Sequence, residues 1–109
     1  MQVIRKNAAK VSLDGPEVVR DYCRTHKIWF GTSELLPGQT GGVDPGHPIS
    51  HETFFISKGH VVVRNPKTGD CYELQEGDLL LIEEGEPHEI TNIGMEPALV
   101  AWCGGPVNK

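Results

Sequence analysis

Several features that would assign this chain to a class of protein are missing from its 109 residues. No apolar segment approaches the roughly 18 residues that a membrane-spanning helix needs. No basic run is present, and 15 acidic residues outnumber 10 basic ones, giving a formal net charge of −5. This balance disfavours attraction to nucleic acid or to an anionic membrane. We therefore expect neither as a partner.

Cysteine is sparse, and no Cys-x-x-Cys pair occurs. Cys23, Cys71 and Cys103 are odd in number and widely spaced, which is typical of free thiols in a reducing compartment. The N-terminal residues lack the long apolar core of a signal peptide. Together these observations predict a cytoplasmic protein. The length predicts a single domain over residues 1–109.

Turn-forming residues are abundant, with 13 glycines and 8 prolines spread along the chain. This spacing is typical of short strands joined by tight turns. We predict strands at residues 27–36, 53–57, 60–64, 71–74, 78–82, from 88 onward and 98–103. Residues 16–22 form either a helical turn or an edge strand. Seven or more short strands indicate an all-β sandwich or barrel.

The stretch GHPISHETFFISKG, from Gly46 to Gly59, places metal-capable side chains at the start of a predicted strand. Because side chains alternate between faces along a strand, Glu52 shares one face with Phe54 and Ile56, and His51 lies on the other. A carboxylate at the end of an apolar inward row is costly unless it meets a metal ion or a hydrogen-bonding partner. The pattern therefore predicts either a metal site or a hydrogen-bonding partner for Glu52.

A second stretch, PHEITN, repeats the arrangement. His88, Ile90 and Asn92 share one strand face. His47 lies in the loop directly before the strand that contains Glu52, close enough in sequence for its ring to converge with Glu52. Two histidines and one carboxylate on an inner wall are suited to a divalent transition metal, with coordination positions left open for a substrate.

These two stretches resemble the motifs of the cupin superfamily. The first motif, G-x5-H-x-H-x3,4-E-x6-G, is matched in its second half by His47, Glu52 and Gly59, within residues 38–59. The second motif, G-x5-P-x-G-x2-H-x3-N, is matched within residues 77–92 by Gly77, Gly85, His88 and Asn92.

The resemblance implies an antiparallel double-stranded β-helix, a barrel of jelly-roll type that is often dimeric. It also implies that His47, Glu52 and His88 are metal ligands, for Fe, Mn, Ni or Zn. We expect a homodimer, because the barrel leaves sheet edges that need cover. Phe55, on the outward face of its strand, and the N-terminal strand are the candidate contacts.

The chain departs from the cupin pattern at two positions. Pro45 stands where the first motif has a histidine, and proline offers no ligand; the adjacent Asp44 is a candidate substitute. Glu83 replaces the proline of the second motif. If the strand register differs by one residue, His51 replaces Glu52 as the inward ligand.

A small polar metabolite is the expected ligand: a sugar acid, a hydroxy or keto acid, or an enediol. Asn92 and Trp102 are candidate pocket residues, although Trp102 and Trp29 are also suited to the core or to a dimer interface. The metal would act as a Lewis acid, as in an isomerase or decarboxylase, or as a dioxygen-activating centre. The alternatives are a binding protein without catalysis, with or without metal, and a metal-free epimerase, which would need Tyr22 or Tyr72 facing a histidine.

Overall fold

The computed structural model describes residues 1–107 as two antiparallel β-sheets. The strands are β1 (Lys10–Asp14), β2 (Glu17–Arg24), β3 (Trp29–Leu35), β4 (His51–Lys58), β5 (His60–Arg64), β6 (Cys71–Gln75), β7 (Leu79–Ile82), β8 (Glu89–Asn92) and β9 (Ala98–Gly105). One sheet has the order β1-β2-β3-β9-β4-β7, and the other has the order β6-β5-β8. A 3₁₀ turn at Lys6–Ala8 is the one helical element within residues 1–107.

This architecture confirms the all-β, antiparallel fold class predicted from the sequence. The predicted strands all form, with small shifts of their ends. Residues 17–22 belong to β2, which is not an edge strand because β1 pairs with it on one side and β3 on the other. β1 lies outside the predicted strand ranges; all five of its residues are exposed, although Val11 and Leu13 alternate with polar residues.

The inward faces of both sheets share one hydrophobic core, built as the alternation of side chains predicts. Phe54 and Ile56 of β4 are buried together with Val61 and Val63 of β5 and with Ile90 of β8. The apolar row on β4 therefore packs against the small sheet. Glu52 and His88, the polar residues that begin the inward rows on and before β4 and β8, meet at one end of the core.

The loop between β3 and β4 is held along β8 by its backbone. The amides of Gly38, Gly41 and Asp44 donate to the carbonyls of Asn92, Ile90 and His88, at 2.9, 2.9 and 2.8 Å. Because these contacts recur at intervals of three residues, the loop follows the small sheet instead of projecting into solvent. Within residues 1–107, no helix is long and apolar enough to cross a membrane.

Candidate metal centre and its cavity

Four side chains meet at one end of the core. Two come from the loop before β4, one from β4 itself and one from the position just before β8: Asp44, His47, Glu52 and His88, hereafter the four inward side chains. Glu52 Oε1 lies 3.5 Å from His47 Nε2 and 3.4 Å from His88 Nε2. Asp44 Oδ2 lies 3.9 and 3.6 Å from the same two nitrogens.

These separations are too long for good hydrogen bonds, for which nitrogen and oxygen lie about 2.7–3.2 Å apart. Three of the converging atoms, His47 Nε2, Glu52 Oε1 and His88 Nε2, are buried and have no hydrogen-bond partner within the described residues. Four nitrogen and oxygen ligands that each lie about 2.0–2.2 Å from a shared cation would be separated by about 3–3.5 Å. The ligand atoms of Asp44, His47 and Glu52 all lie within 4.8 Å of one another, so these three side chains fit a divalent ion. His88 Nε2 adds a donor 3.6 Å from the Asp44 carboxylate and 3.4 Å from that of Glu52.

Asp44 points inward because of its backbone pairing. Its amide donates to the His88 carbonyl at 2.8 Å, and the His88 amide donates back to the Asp44 carbonyl at 2.9 Å. Side chains of residues paired in this way lie on the same face of a sheet. The Gly46 amide donates to Asp44 Oδ1 at 2.8 Å, which leaves Oδ2 for the histidines. Asp44 thus supplies the inward polar side chain that Pro45, at the position of the motif histidine, cannot supply.

His88 is held in a defined tautomer. Its Nδ1 lies 2.9 Å from the carbonyl oxygen of Glu86, so Nδ1 carries the proton and the neutral ring presents a lone pair on Nε2. Phe54 packs edge-on against the ring, with centroids 5.2 Å apart. Burial alone would lower the pKa of His88, but the Glu52 carboxylate, the Glu86 carbonyl and Asp44 together raise it above its usual value.

Trp29 supports two of the four inward side chains. Its indole Nε1–H donates to Glu52 Oε2 at 2.9 Å, and its ring lies against the His47 imidazole with centroids 4.6 Å apart. Sequence reasoning favoured the core or a dimer interface for this residue. In the structure Trp29 is buried, as expected of a core residue, and it also lines the cavity. Neither the composition nor the spacing of the sequence indicated which carboxylate its indole would contact.

His51, the alternative ligand, lies on the outward face of β4. Its side chain is about half exposed and pairs with Glu84. His51, Glu83 and Glu84 form an exposed group that is separate from the four inward side chains. The strand alternation that placed Glu52, Phe54 and Ile56 inward is the one observed, as the burial pattern of β4 shows.

A cavity of about 230 Å³ opens next to the four inward side chains. Its apolar walls include Trp29, Phe54 and Trp102. Its other lining residues include Asp14, Glu17, Asp21, Arg24, Ser33 and Glu89. Trp102, predicted from the sequence as a pocket residue, does line it.

Asn92 does not line this cavity, so its predicted role in a substrate pocket requires correction. The side chain is fully buried, and its amide group donates to the carbonyls of Leu35 and Glu96 at 2.9 and 2.8 Å. Its carbonyl oxygen accepts from the Gly94 amide at 2.8 Å. The asparagine of the second motif therefore stabilises the turn after β8 and lies outside the lining of the cavity.

Glu17 is a cavity residue that sequence reasoning missed. It is 8% exposed and accepts a hydrogen bond from the Ser33 hydroxyl. Ser33 in turn accepts from Trp102 Nε1 at 2.9 Å. A carboxylate directly before the apolar pair Val18 and Val19 was the available signal, but residues 16–22 left the choice between helix and strand open.

The two tyrosines lie outside the lining of this cavity. Tyr22 packs edge-on against Phe30, with centroids 6.0 Å apart, and Tyr72 is exposed. Tyr72 instead lines a second cavity, of about 190 Å³, which His88 also borders.

Comparisons with known proteins agree with this fold. The family model described as "Cupin domain" matches residues 31–104. The Tetracenomycin polyketide synthase protein TcmJ of Streptomyces glaucescens is 30% identical over 79 residues, which cover 72% of this chain and 51% of that protein. The chain thus matches about half the length of this curated relative.

Two solved structures show the same fold at low sequence identity. A conserved protein with a double-stranded β-helix domain from Klebsiella pneumoniae superposes with a TM-score of 0.83 at 19% identity, covering 99% of this chain and 92% of that one. The polyketide cyclase RemF from Streptomyces resistomycificus superposes with a TM-score of 0.73 at 15% identity, covering 98% and 80%. With motifs, fold and family model in agreement, the chain belongs to the cupin domain family.

Proposed function

We propose that this chain is a metal-dependent cupin that acts on a small, uncharged organic ligand carrying neighbouring hydroxyl or carbonyl oxygens. The observation that carries the proposal is the convergence of three buried, unpartnered polar atoms, His47 Nε2, Glu52 Oε1 and His88 Nε2. A buried polar group without a partner costs roughly 1–3 kcal/mol. A bound cation would remove that cost for all three groups at once.

The donor set supports a transition metal. Two imidazole nitrogens suit Fe, Mn, Ni or Zn, and the carboxylates of Asp44 and Glu52 would balance the charge of a divalent ion. When bound, such an ion supplies Lewis-acid polarisation of a carbonyl or, as iron, dioxygen activation. The chain's own residues bind and orient the ligand: Trp29, Phe54 and Trp102 supply flat apolar walls that exclude water.

The charge of the cavity supports an uncharged ligand. Its lining includes six carboxyl groups and a single arginine: Asp14, Glu17, Asp21, Asp44, Glu52, Glu89 and Arg24. A divalent ion would balance Asp44 and Glu52, and Glu89 is paired with Arg64 at 3.2 Å. The remaining carboxyl groups still outnumber Arg24, which stacks over Trp29 at 5.5 Å. An anionic ligand would therefore meet like charge at the mouth.

The curated relative gives independent support for this ligand class. Its name associates it with a polyketide synthase. Polyketides carry carbonyl and hydroxyl oxygens at short intervals, as the proposed ligand does. Among the candidates from the sequence, the uncharged enediol is therefore favoured over the sugar, hydroxy and keto acids.

The test combines metal content with a matched pair of ligands. Protein purified without added metal is analysed for its elements, then loaded with zinc and titrated with 3,4-dihydroxybenzamide and with 3,4-dihydroxybenzoate. The two probes have nearly the same shape and differ by one charge. We expect one metal ion per chain and about tenfold tighter binding of the amide at low ionic strength.

Three outcomes would contradict parts of this proposal. A chain that retains and takes up no metal would remove the metal centre. Equal or tighter binding of the benzoate would remove the preference for an uncharged ligand. A loaded protein that binds the amide but turns over no member of a panel of enolisable hydroxy-ketones and diols would be a binding protein and not an enzyme.

A further inference from the structure

Glu17 is a carboxyl group of the cavity that the candidate metal centre does not use. It lines the same cavity as the four inward side chains and is 8% exposed. Within residues 1–107, no hydrogen bond or ion pair joins it to any of the four. A buried carboxyl group in a candidate active site, without a cationic partner, calls for a role of its own.

The hydrogen bonds around Glu17 have a fixed direction. The indole Nε1–H of Trp102 can only donate, so Ser33 Oγ accepts there and its single hydroxyl proton points to Glu17 Oε2. Glu17 Oε1 has no protein donor within the described residues. It lies against Gly41, where a side chain larger than hydrogen would collide with it. Oε1 is therefore the oxygen that can exchange a proton with a ligand.

The surroundings of Glu17 make its ionised carboxylate a stronger base than that of an exposed glutamate. Burial raises the pKa of Glu17, and the charges of Asp14 and Asp44 raise it further, while Ser33 and His88 act in the opposite direction. A ligand that displaces water from the cavity would increase this burial. Ligand binding and proton uptake by Glu17 should therefore be linked.

We propose, on the basis of the function proposed above, that Glu17 is the acid–base residue of this cavity. Its Oε1 accepts the proton that a hydroxyl of the ligand loses as the ligand binds. The ligand O–H bond breaks, its electron pair stays on the ligand oxygen, and a new O–H bond forms on Glu17 Oε1. The reverse transfer returns the proton when the ligand leaves.

The test counts the protons released on binding. Zinc-loaded wild type and Glu17→Gln are titrated calorimetrically with 3,4-dihydroxybenzamide at pH 7, in two buffers of different ionisation enthalpy. In wild type, Glu17 retains the proton that the ligand hydroxyl loses. The side-chain amide that replaces this carboxylate in the variant cannot accept that proton. The variant should therefore release more protons per bound ligand, by up to about one. The zinc content of both proteins is measured first.

A matched control is Glu34→Gln. Glu34 lies on β3 next to Ser33 but pairs with Arg20 at 3.1 Å, and it does not line the cavity. This change should leave the proton count as in wild type. If Glu17→Gln does not fold, infrared difference spectra of wild type labelled with ¹³C-glutamate provide the second measurement. Ligand binding should then increase a protonated-carboxyl band.

The possible results separate the two proposals. Equal proton release by wild type and Glu17→Gln, or no new carboxylic acid band, would overturn the role of Glu17 and leave the metal centre intact. Loss of zinc from Glu17→Gln would make Glu17 a ligand and also overturn it. If the protein binds zinc but not the probe, both the role of Glu17 and the proposed ligand class would be overturned. A chain that binds no zinc would overturn both proposals.

Discussion

Trp29 holds one oxygen of Glu52 and leaves the other to the histidines. Its indole donates to Glu52 Oε2 at 2.9 Å, while Glu52 Oε1 faces His47 and His88 at 3.5 and 3.4 Å. The two residues come from β3 and β4, which lie on either side of β9. The carboxylate is therefore oriented by a hydrogen bond from within the large sheet.

Replacing Trp29 with phenylalanine should weaken zinc binding by about tenfold or more. The change removes the hydrogen bond that orients Glu52, and the loss of such an outer partner typically costs about 10–100-fold in metal affinity. Competition with a chromogenic chelator measures the affinity. Trp102→Phe is the matched control, because its indole donates to Ser33 and not to one of the four inward side chains. An equal loss in both variants would contradict the role assigned to Trp29.

His88→Ala should strongly reduce bound metal, and His51→Ala should leave it nearly unchanged. His88 presents its free Nε2 to the other inward side chains, whereas His51 lies outside and pairs with Glu84. Elemental analysis of the two purified variants is the measurement. Loss of metal from His51→Ala together with retention by Glu52→Gln would show that the ligands lie on the opposite face of β4.

Asp44→Asn should weaken metal binding without emptying the site. The amide keeps the size of the side chain but removes a negative charge that lies 3.6 Å from His88 Nε2. We expect a loss of affinity smaller than that of His88→Ala, measured by the same competition assay. Unchanged affinity would mean that the centre has three protein ligands and that Asp44 is only a neighbour.

Glu17→Gln should become more stabilising, relative to wild type, as the pH rises. The pKa of Glu17 is raised in the folded protein, chiefly by burial. Between its ordinary value near 4.5 and this raised value, the folded state binds more protons than the unfolded state, so wild-type stability falls with rising pH. Glutamine does not ionise and avoids this loss.

Urea denaturation of metal-free protein at about pH 4 and pH 8 measures the difference in unfolding free energy between the two proteins. A difference in unfolding free energy that does not change with pH, or that favours wild type more at high pH, would contradict the burial of an ionisable Glu17. Chelator is present throughout, so that metal binding does not enter the comparison.

Phe55→Glu should disrupt a homodimer. Phe55 is 42% exposed on the outer face of β4, opposite Leu79 of β7, and Leu81 lies further along the same strand. Together they form an apolar surface suited to a second copy of the chain. Sedimentation should give twice the 12.0 kDa chain mass for wild type and the single mass for the variant. Met95→Glu, a change of another exposed apolar residue, should not alter association.

Strand alternation alone was sufficient to predict which side chains of β4 and β8 point inward. Glu52, Phe54 and Ile56 lie on the buried face of β4. Ile90 of β8 and His88, directly before β8, are buried in the same way. Two strands with strong hydrophobic rows leave little choice of register, because a shift by one residue would expose the whole row.

Other parts of the site depend on contacts between segments far apart in sequence. Asp44 faces inward only because its backbone pairs with His88, and Glu17 reaches the cavity only because β2 pairs with β3. Asn92 was misassigned because its buried amide satisfies the turn after β8, a use that a spacing motif does not distinguish from ligand binding. None of these long-range contacts can be recognised from a hydrophobic pattern in a short stretch of the sequence.

The four inward side chains are distributed over both sheets. Glu52 belongs to the large sheet, His88 directly precedes a strand of the small one, and Asp44 and His47 come from the loop that runs alongside β8. An ion held by all four would act as a crosslink at the end of the barrel, where the hydrophobic core stops. Separating the sheets there would then require breaking coordination bonds as well as exposing apolar surface. Thermal unfolding of this small protein should accordingly report how much metal the cell has supplied.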